Sequence, residues 1–222
     1  MNLKIHDLID GPILAKALPE NDADFLAWLQ YGEKRKAEML AESIAQKRPI
    51  FVHTLGCPAS GKTTLLQYCR DQGHFPADSL YLSFDRLMEE FSGYQDDVAQ
   101  HGMQPAFEKH EVPARALGYE MLELALNEKR NIVLEHSGAR KDHLDLLKAA
   151  KGQLGYHILL IEAQCSLEVA KPRVRHRPRY LPEGYLEQRR AIIKELRPQY
   201  YLLSDEVHRY NTENLPPVLL EP

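Results

Sequence analysis

An eight-residue run, Gly56-Cys57-Pro58-Ala59-Ser60-Gly61-Lys62-Thr63, fits the pattern GxxxxGK[ST] at every fixed position. Each part of the pattern has a physical task. Glycines let successive backbone N–H groups turn inward as a nest for anions. A helix opening near Lys62 aims its positive dipole end at the same anion. Lys62 supplies a mobile point charge for β- and γ-phosphates, and the Thr63 hydroxyl can ligate Mg²⁺. The run Gly56, Cys57, Pro58, Ala59, Ser60, Gly61, Lys62, Thr63 and Thr64 is therefore the expected ATP-binding loop. Cys57 inside it reads either as a small packed residue, the preferred reading, or as a redox switch, since a helix N-terminus lowers a thiol pKa.

Two carboxylates and a basic stretch narrow the chemistry. Asp85 follows an apolar run, Leu80-Tyr81-Leu82-Ser83-Phe84. In a parallel sheet the carboxyl ends of strands face the ligand crevice. There Asp85 can take a proton from a substrate hydroxyl or help hold Mg²⁺, and it can also cap the helix at Arg86. Glu135 ends the run Ile132-Val133-Leu134 and is followed by His136-Ser137-Gly138. A motor ATPase would carry Asp-Glu at that place. His136 taken alone reads as a hydrogen-bonded structural histidine. Between residues 171 and 190 lie Lys171, Arg173, Arg175, Arg177, Arg179, Arg189 and Arg190, broken up by Pro172, Pro178, Pro182 and Gly184. Such a stretch can form a lid whose arginines neutralise a transferring phosphoryl group. Arg175, Arg177 and Arg189 are the leading candidates; a solvated basic face and a nucleic-acid contact are the competing readings.

Elements of definite type must position these groups. Ile50 to Leu55 is β-branched and apolar and reads as a strand running into the loop. Lys62 to Arg70 follows as a helix with Leu65, Leu66 and Cys69 on its buried side. Further strands are expected over Ser79–Phe84, Asn131–His136, Tyr156–Ala163 and Val207–Tyr210. Helices are expected from Asp22 or Asp24 to about Lys47, from Arg86 to Phe91, from Pro113 to Arg130, from Lys141 to Gln153 and from Glu183 to Ser204. Phe25, Trp28, Leu29, Met39, Leu40 and Ile44 would form the apolar stripe of the first. Pro198 is expected to kink or split the last. Residues 92–113, rich in Gly, Pro, Asp and His, read as a mobile excursion. Alternation of strand and helix implies an α/β, three-layer P-loop NTPase fold: a mostly parallel sheet of about five strands flanked by helices. Residues 1–222 are expected to form one domain, with 1–48 a helical extension packed on it.

The net charge of −4 over 222 residues argues against a polynucleotide substrate. Three cysteines, Cys57, Cys69 and Cys165, form no CxxC pair, which disfavours a disulfide framework or zinc site. No apolar run approaches the roughly 18 residues of a membrane span. A cytoplasmic protein without membrane contact is expected.

The constellation resembles the zeta-toxin family of P-loop kinases from about Ile50 to Asn214. The matching pieces are Gly56 to Thr63, Asp85 after the second strand, Glu135-His136-Ser137-Gly138, and the arginine-rich stretch closing with Pro182-Glu183-Gly184-Tyr185-Leu186 and Arg189. His136 departs from the family, which has glycine there. The resemblance implies a nucleotide-kinase-like fold and an ATP-Mg²⁺-dependent kinase. Its acceptor would be the hydroxyl of a small metabolite such as UDP-N-acetylglucosamine. It further implies Asp85 as general base, Glu135 and Ser137 as substrate contacts, lid arginines on the ATP phosphates, and a possible antitoxin partner. Gly56-Cys57-Pro58 and the place of Asp85 are also similar to polynucleotide 5′-kinases. A nucleotide-dependent ATPase or switch that binds a protein partner is the third reading.

Overall fold

The computed structural model describes residues 2–10, 23–175, 180–182 and 184–220. Its strands are β1 (Ile50–Leu55), β2 (Leu80–Ser83), β3 (Ile132–Glu135), β4 (His157–Gln164), β5 (Glu206–Asn211) and β6 (Val218–Leu219). Its helices are α1 (Ala23–Glu42), α2 (Lys62–Asp71), α3 (Phe84–Glu90), α4 (Ser92–His101), α5 (Met103–Asn127), α6 (Asp142–Leu154), α7 (Leu167–Val174) and α8 (Tyr185–Leu203). A short 3₁₀ turn covers Ile5–Asp7.

Strands that are apolar along their whole length must be covered on both faces. β1 is such a strand, and it sits inside a sheet of order β2-β3-β1-β4-β5-β6. β1 pairs in parallel with β3 and β4, with Val52 opposite Val133 on one side and Leu159 on the other. Side chains alternate between faces. Phe51, Ile132, Ile158 and Leu160 join one core with residues of α5, α6 and α8. Val52, Val133, Leu159 and Ile161 join a second core with Leu65, Leu66 and Cys69 of α2. The three layers follow from that alternation. Among the described residues the mostly parallel sheet of about five strands is completed by a short sixth, the two residues of β6, which pair antiparallel with β5.

Four expectations are corrected. α1 ends at Glu42, not Lys47, because Arg130 donates from Nη1 to the carbonyls of Leu40, at 2.9 Å, and of Ser43. These are carbonyls that a helix end leaves unpaired. The chain beyond then pairs with the start of β3, through an Ala45–Arg130 bridge. Ile44, beyond the helix end, is exposed, and so is Leu29, whereas Phe25, Trp28 and Met39 are buried. Asp22 lies outside the described residues. Residues 92–113 are helical, comprising α4 and the first half of α5, and Pro113 lies inside α5 rather than at a helix start. α8 runs through Pro198 without a break.

Trp28 explains how the 92–113 segment is held. It is fully buried, stacks on Phe91 with ring centroids 4.1 Å apart, and donates from Nε1 to His110 Nδ1 at 3.2 Å. His110 Nε2 meets Asp97 Oδ2 at 2.7 Å. One indole thereby ties α1 to α5, and through His110 to α4. Trp28→Ala is expected to cost about 3–5 kcal/mol, as large-to-small changes of buried aromatics do, read as a lower denaturant midpoint at unchanged slope.

Candidate active site

The phosphate loop is fixed by contacts that its sequence alone does not show. A Cβ at Gly56 would stand 2.7 Å from Ala163 O and from Ser60 Oγ, so only glycine lets the loop lie this close to β4. Gly56 N–H donates to Ser137 O at 3.0 Å, and the Thr212 hydroxyl donates to Ser60 O at 2.6 Å. Lys62 Nζ donates to Gly56 O at 3.0 Å and to Cys57 O at 2.9 Å. Its buried ammonium is folded back over the loop it serves. Thr63 and Thr64 are exposed on the first turn of α2. This cradle of backbone N–H groups, a helix start and a lysine fits a nucleotide triphosphate.

Beside the loop, Thr63 Oγ1 donates to Glu135 Oε1 at 2.8 Å, while the Tyr81 hydroxyl donates to Glu135 Oε2. Burial, and then the Glu135 charge, push the Tyr81 pKa well above its usual range, so it remains a donor. A hydroxyl and a carboxylate are hard oxygen ligands. The pair fits Mg²⁺, which takes one or two protein oxygens and fills its shell with phosphate and water. Glu135 also lines the cleft that holds Asp85 and Lys62, so it borders both places.

Asp85 sits in the first turn of α3, and Ser83, not Asp85, caps that helix: Ser83 Oγ accepts from Arg86 N at 3.4 Å. Asp85 lines the cleft that also holds Lys62, Glu135, His136, Ser137 and Arg189. It borders the Thr63 side as well. Its position depends on the neighbouring Phe84 ring, which packs edge-on to Tyr119 at 4.7 Å. That ring also lies over Gly118, where an added Cβ would come within 2.2 Å of it.

Ser137 contributes twice: its carbonyl holds Gly56, and its Oγ accepts from Ala139 N at 3.2 Å. His136 belongs to a group that sequence reading missed. His53 Nε2 lies 3.1 Å from His143 Nδ1, and the Tyr119 hydroxyl lies 3.1 Å from His143 Nε2. His136 packs on His143 with ring centroids 4.1 Å apart and planes tilted by 31°, and its Nδ1 accepts from Gly138 N–H at 3.1 Å. The three histidines bring ring nitrogens within 4.8 Å of one another. Both nitrogens of His143 and Nδ1 of His136 are already engaged by protein partners. The group therefore serves as neutral packing, with His53 and His143 buried behind the cleft and His136 on its wall. No local pattern could reveal it, since β1, the β3 end and α6 each supply one member.

Burial holds these imidazoles uncharged: His53 is brought down to about 4, and His136 and His143 fall well below their ordinary value, with neighbouring histidines and Arg140 adding to burial. A depressed folded pKa means the unfolded chain takes up protons that the folded core refuses. Stability from this group is complete above pH 6.5 and is lost as the pH falls from there toward about 4. Melting temperatures measured from about pH 8 to about pH 5 should drop most steeply over the acid half, with a shallower drop in His53→Gln.

Of the arginines, Arg189 reaches the cleft, where its Nη1 donates to Ala139 O at 3.2 Å and its guanidinium lies over the Tyr185 ring at 4.5 Å. Its Nε is buried with no hydrogen-bond partner among the described residues. Arg175 is exposed at the end of α7 and lines none of the described clefts. Arg177 and Arg179 lie outside the described residues. Arg173 comes within 3.7 Å of where a Gly61 Cβ would be, but it is committed to the Thr212 and Glu213 carbonyls.

The sequence model described as Zeta toxin matches residues 34–215. No curated protein matches the sequence. Among solved structures, a chain from the PezAT chromosomal toxin–antitoxin system of Streptococcus pneumoniae superposes with a TM-score of 0.69 at 12% identity, covering 88% of this chain and 79% of that one. A chain of the AvrRxo1-ORF1:-ORF2 structure with ATP superposes with a TM-score of 0.62 at 13% identity, covering 90% of this chain and 73% of that one. At these identities the superpositions establish the fold. No helix among the described residues is long and apolar enough to cross a membrane.

Proposed function

Because this chain belongs to the zeta-toxin family, we propose that it spends its ATP-dependent phosphotransferase activity on a hydroxyl of a small metabolite, with a UDP-activated amino sugar as the leading acceptor. One observation carries this reading: Asp85 stands on the wall shared by the phosphate-loop side and a cleft of its own. The cleft is walled by Phe107, Arg115 and Tyr119 of α5 and by Tyr185 and Arg189 of α8. A walled polar cleft suits a metabolite better than a polynucleotide, which would call for an open basic groove.

The residues divide the work as follows. When bound, ATP supplies the phosphoryl group and Mg²⁺ neutralises charge on its oxygens. Backbone N–H groups from Gly56 to Thr64 hold the phosphates, and Lys62 exchanges two carbonyls for phosphate oxygens. Thr63 and Glu135 are the residues that would hold Mg²⁺. The Asp85 carboxylate accepts the proton of the acceptor hydroxyl, whose oxygen then takes the phosphoryl group in line with the bond to ADP. Arg189 donates to the charge spread over the transferring group. Ser137 and His136 face the acceptor. Arg175 and Arg177 keep the roles the sequence suggests, as lid cations. An antitoxin protein is a fitting partner, since a structural neighbour comes from a system described as toxin–antitoxin.

Labelled ATP offered with UDP-sugars, with a 5′-hydroxyl oligonucleotide, and with no acceptor tests the reading. Label is expected on a UDP-sugar. Label on the oligonucleotide alone, or steady hydrolysis indifferent to every acceptor, would sink it.

A further inference from the structure

β1 and β4 run side by side as far as Leu55 opposite Glu162; β1 ends there, and β4 continues beside β5 to Gln164 before it too leaves the sheet at the same end. Two residues beyond Leu55 is Cys57; three beyond Glu162 is Cys165. Both line one cleft with Gly56 and Arg190. Both are free thiols, Cys57 buried and Cys165 partly exposed.

We propose that Cys57 and Cys165 are an oxidation site in which a peroxide closes a disulfide across the phosphate loop and shuts out the nucleotide. The chemistry balances without a further reagent. The Cys57 thiolate attacks a peroxide oxygen, giving a sulfenic acid and releasing hydroxide. The Cys165 thiol then displaces water from that sulfenic sulfur, and the S–S bond forms. Two thiols are oxidised and one peroxide is reduced. The local setting favours this order. A hydrogen bond from Cys165 lowers the Cys57 pKa, aided by the charges of Lys62 and Arg190, and the same contact with burial raises that of Cys165. Cys69, by contrast, is pushed up to about 11 by burial and stays out of the reaction.

Closing the bond must disturb the loop. The two sulfurs that line this cleft have to approach to about 2.05 Å. Cys57 is then drawn toward β4, and its carbonyl, one of the two that hold Lys62, moves with it. The N–H nest around the phosphates loses the alignment on which anion binding depends.

The inference rests on the nucleotide reading of the loop, but formation of the bond does not. The purified chain is treated with hydrogen peroxide, and intact mass, free thiols and affinity for a fluorescent ATP analogue are followed. Expected are the loss of two hydrogen masses, one remaining thiol, and affinity weakened at least about tenfold, all reversed by dithiothreitol. Cys165→Ser should bind the analogue normally before treatment, form no bridge, and trap a dimedone adduct at Cys57. Absence of the mass loss, or a bridge that leaves affinity unchanged, overturns the proposal. A reduced chain that binds no nucleotide while the bridge still forms would remove the nucleotide assignment and leave the thiol pairing.

Discussion

Asp85→Asn should lower turnover by about a hundredfold to ten-thousandfold, the range a general base contributes, and leave the ATP dissociation constant nearly unchanged. The substitution keeps size and removes only the ability to take a proton. It leaves the helix start intact, because Ser83 is the cap of α3. It leaves in place the hydrogen bonds from Lys62 to Gly56 and Cys57 and from Gly56 to Ser137, which hold the phosphate loop. Calorimetric titration with ATP and a turnover assay on the same preparation separate the two effects. Turnover at the wild-type level would take the base role from Asp85; a parallel loss of ATP affinity would make it a ligand of the nucleotide or its metal instead.

Lys62→Ala should act on the other half of the reaction. Its charge is the strongest single cation at the loop, and removal of such a phosphate clamp is expected to cost about 10²–10³ in turnover with a marked loss of ATP affinity. The fold should survive, since the side chain donates to carbonyls of its own loop. A melting temperature close to wild type together with lost binding is the expected pair of results. Lys62→Arg should not restore binding, because a planar guanidinium cannot replace a point charge in a pocket this buried. A variant that binds ATP as the wild type does would show that Lys62 is a structural bracket only.

The legible part of this site was local. Strand, loop and helix around Gly56–Thr63 are contiguous, so their chemistry and their geometry are written in one window. Asp85 and Glu135 stand out as candidates in the sequence because each follows an apolar run that β2 and β3 realise. Residues 92–113 failed for the opposite reason. Gly93, Gly102, Pro105 and Pro113 read as breakers, and helical propensity there is poor. Burial of Tyr94, Ala106, His110 and Ala114, together with the Trp28 tether, outweighs that local preference. Pro105 also falls within the first turn of α5, where its missing N–H has no intrahelical partner to lose. The histidine group and the Cys57–Cys165 pair were invisible because their members are joined only by the sheet. Arg173 was counted among the lid cations, yet it is spent on the Thr212 and Glu213 carbonyls. Nothing in a basic run distinguishes a residue that meets phosphate from one that meets backbone.

Thr212 has a consequence for how the enzyme comes into being. Its hydroxyl braces Ser60 across 152 positions of sequence, and Arg173 braces Thr212 in turn. A chain is made from its N-terminus and folds in that order. The nascent protein therefore carries its phosphate loop long before it carries the residue that steadies it. Catalytic competence should arrive only when the stretch that carries Thr212 has left the ribosome. Unfinished chains, whose β1 and α2 are already made, should then remain inert towards ATP until Thr212 is in place.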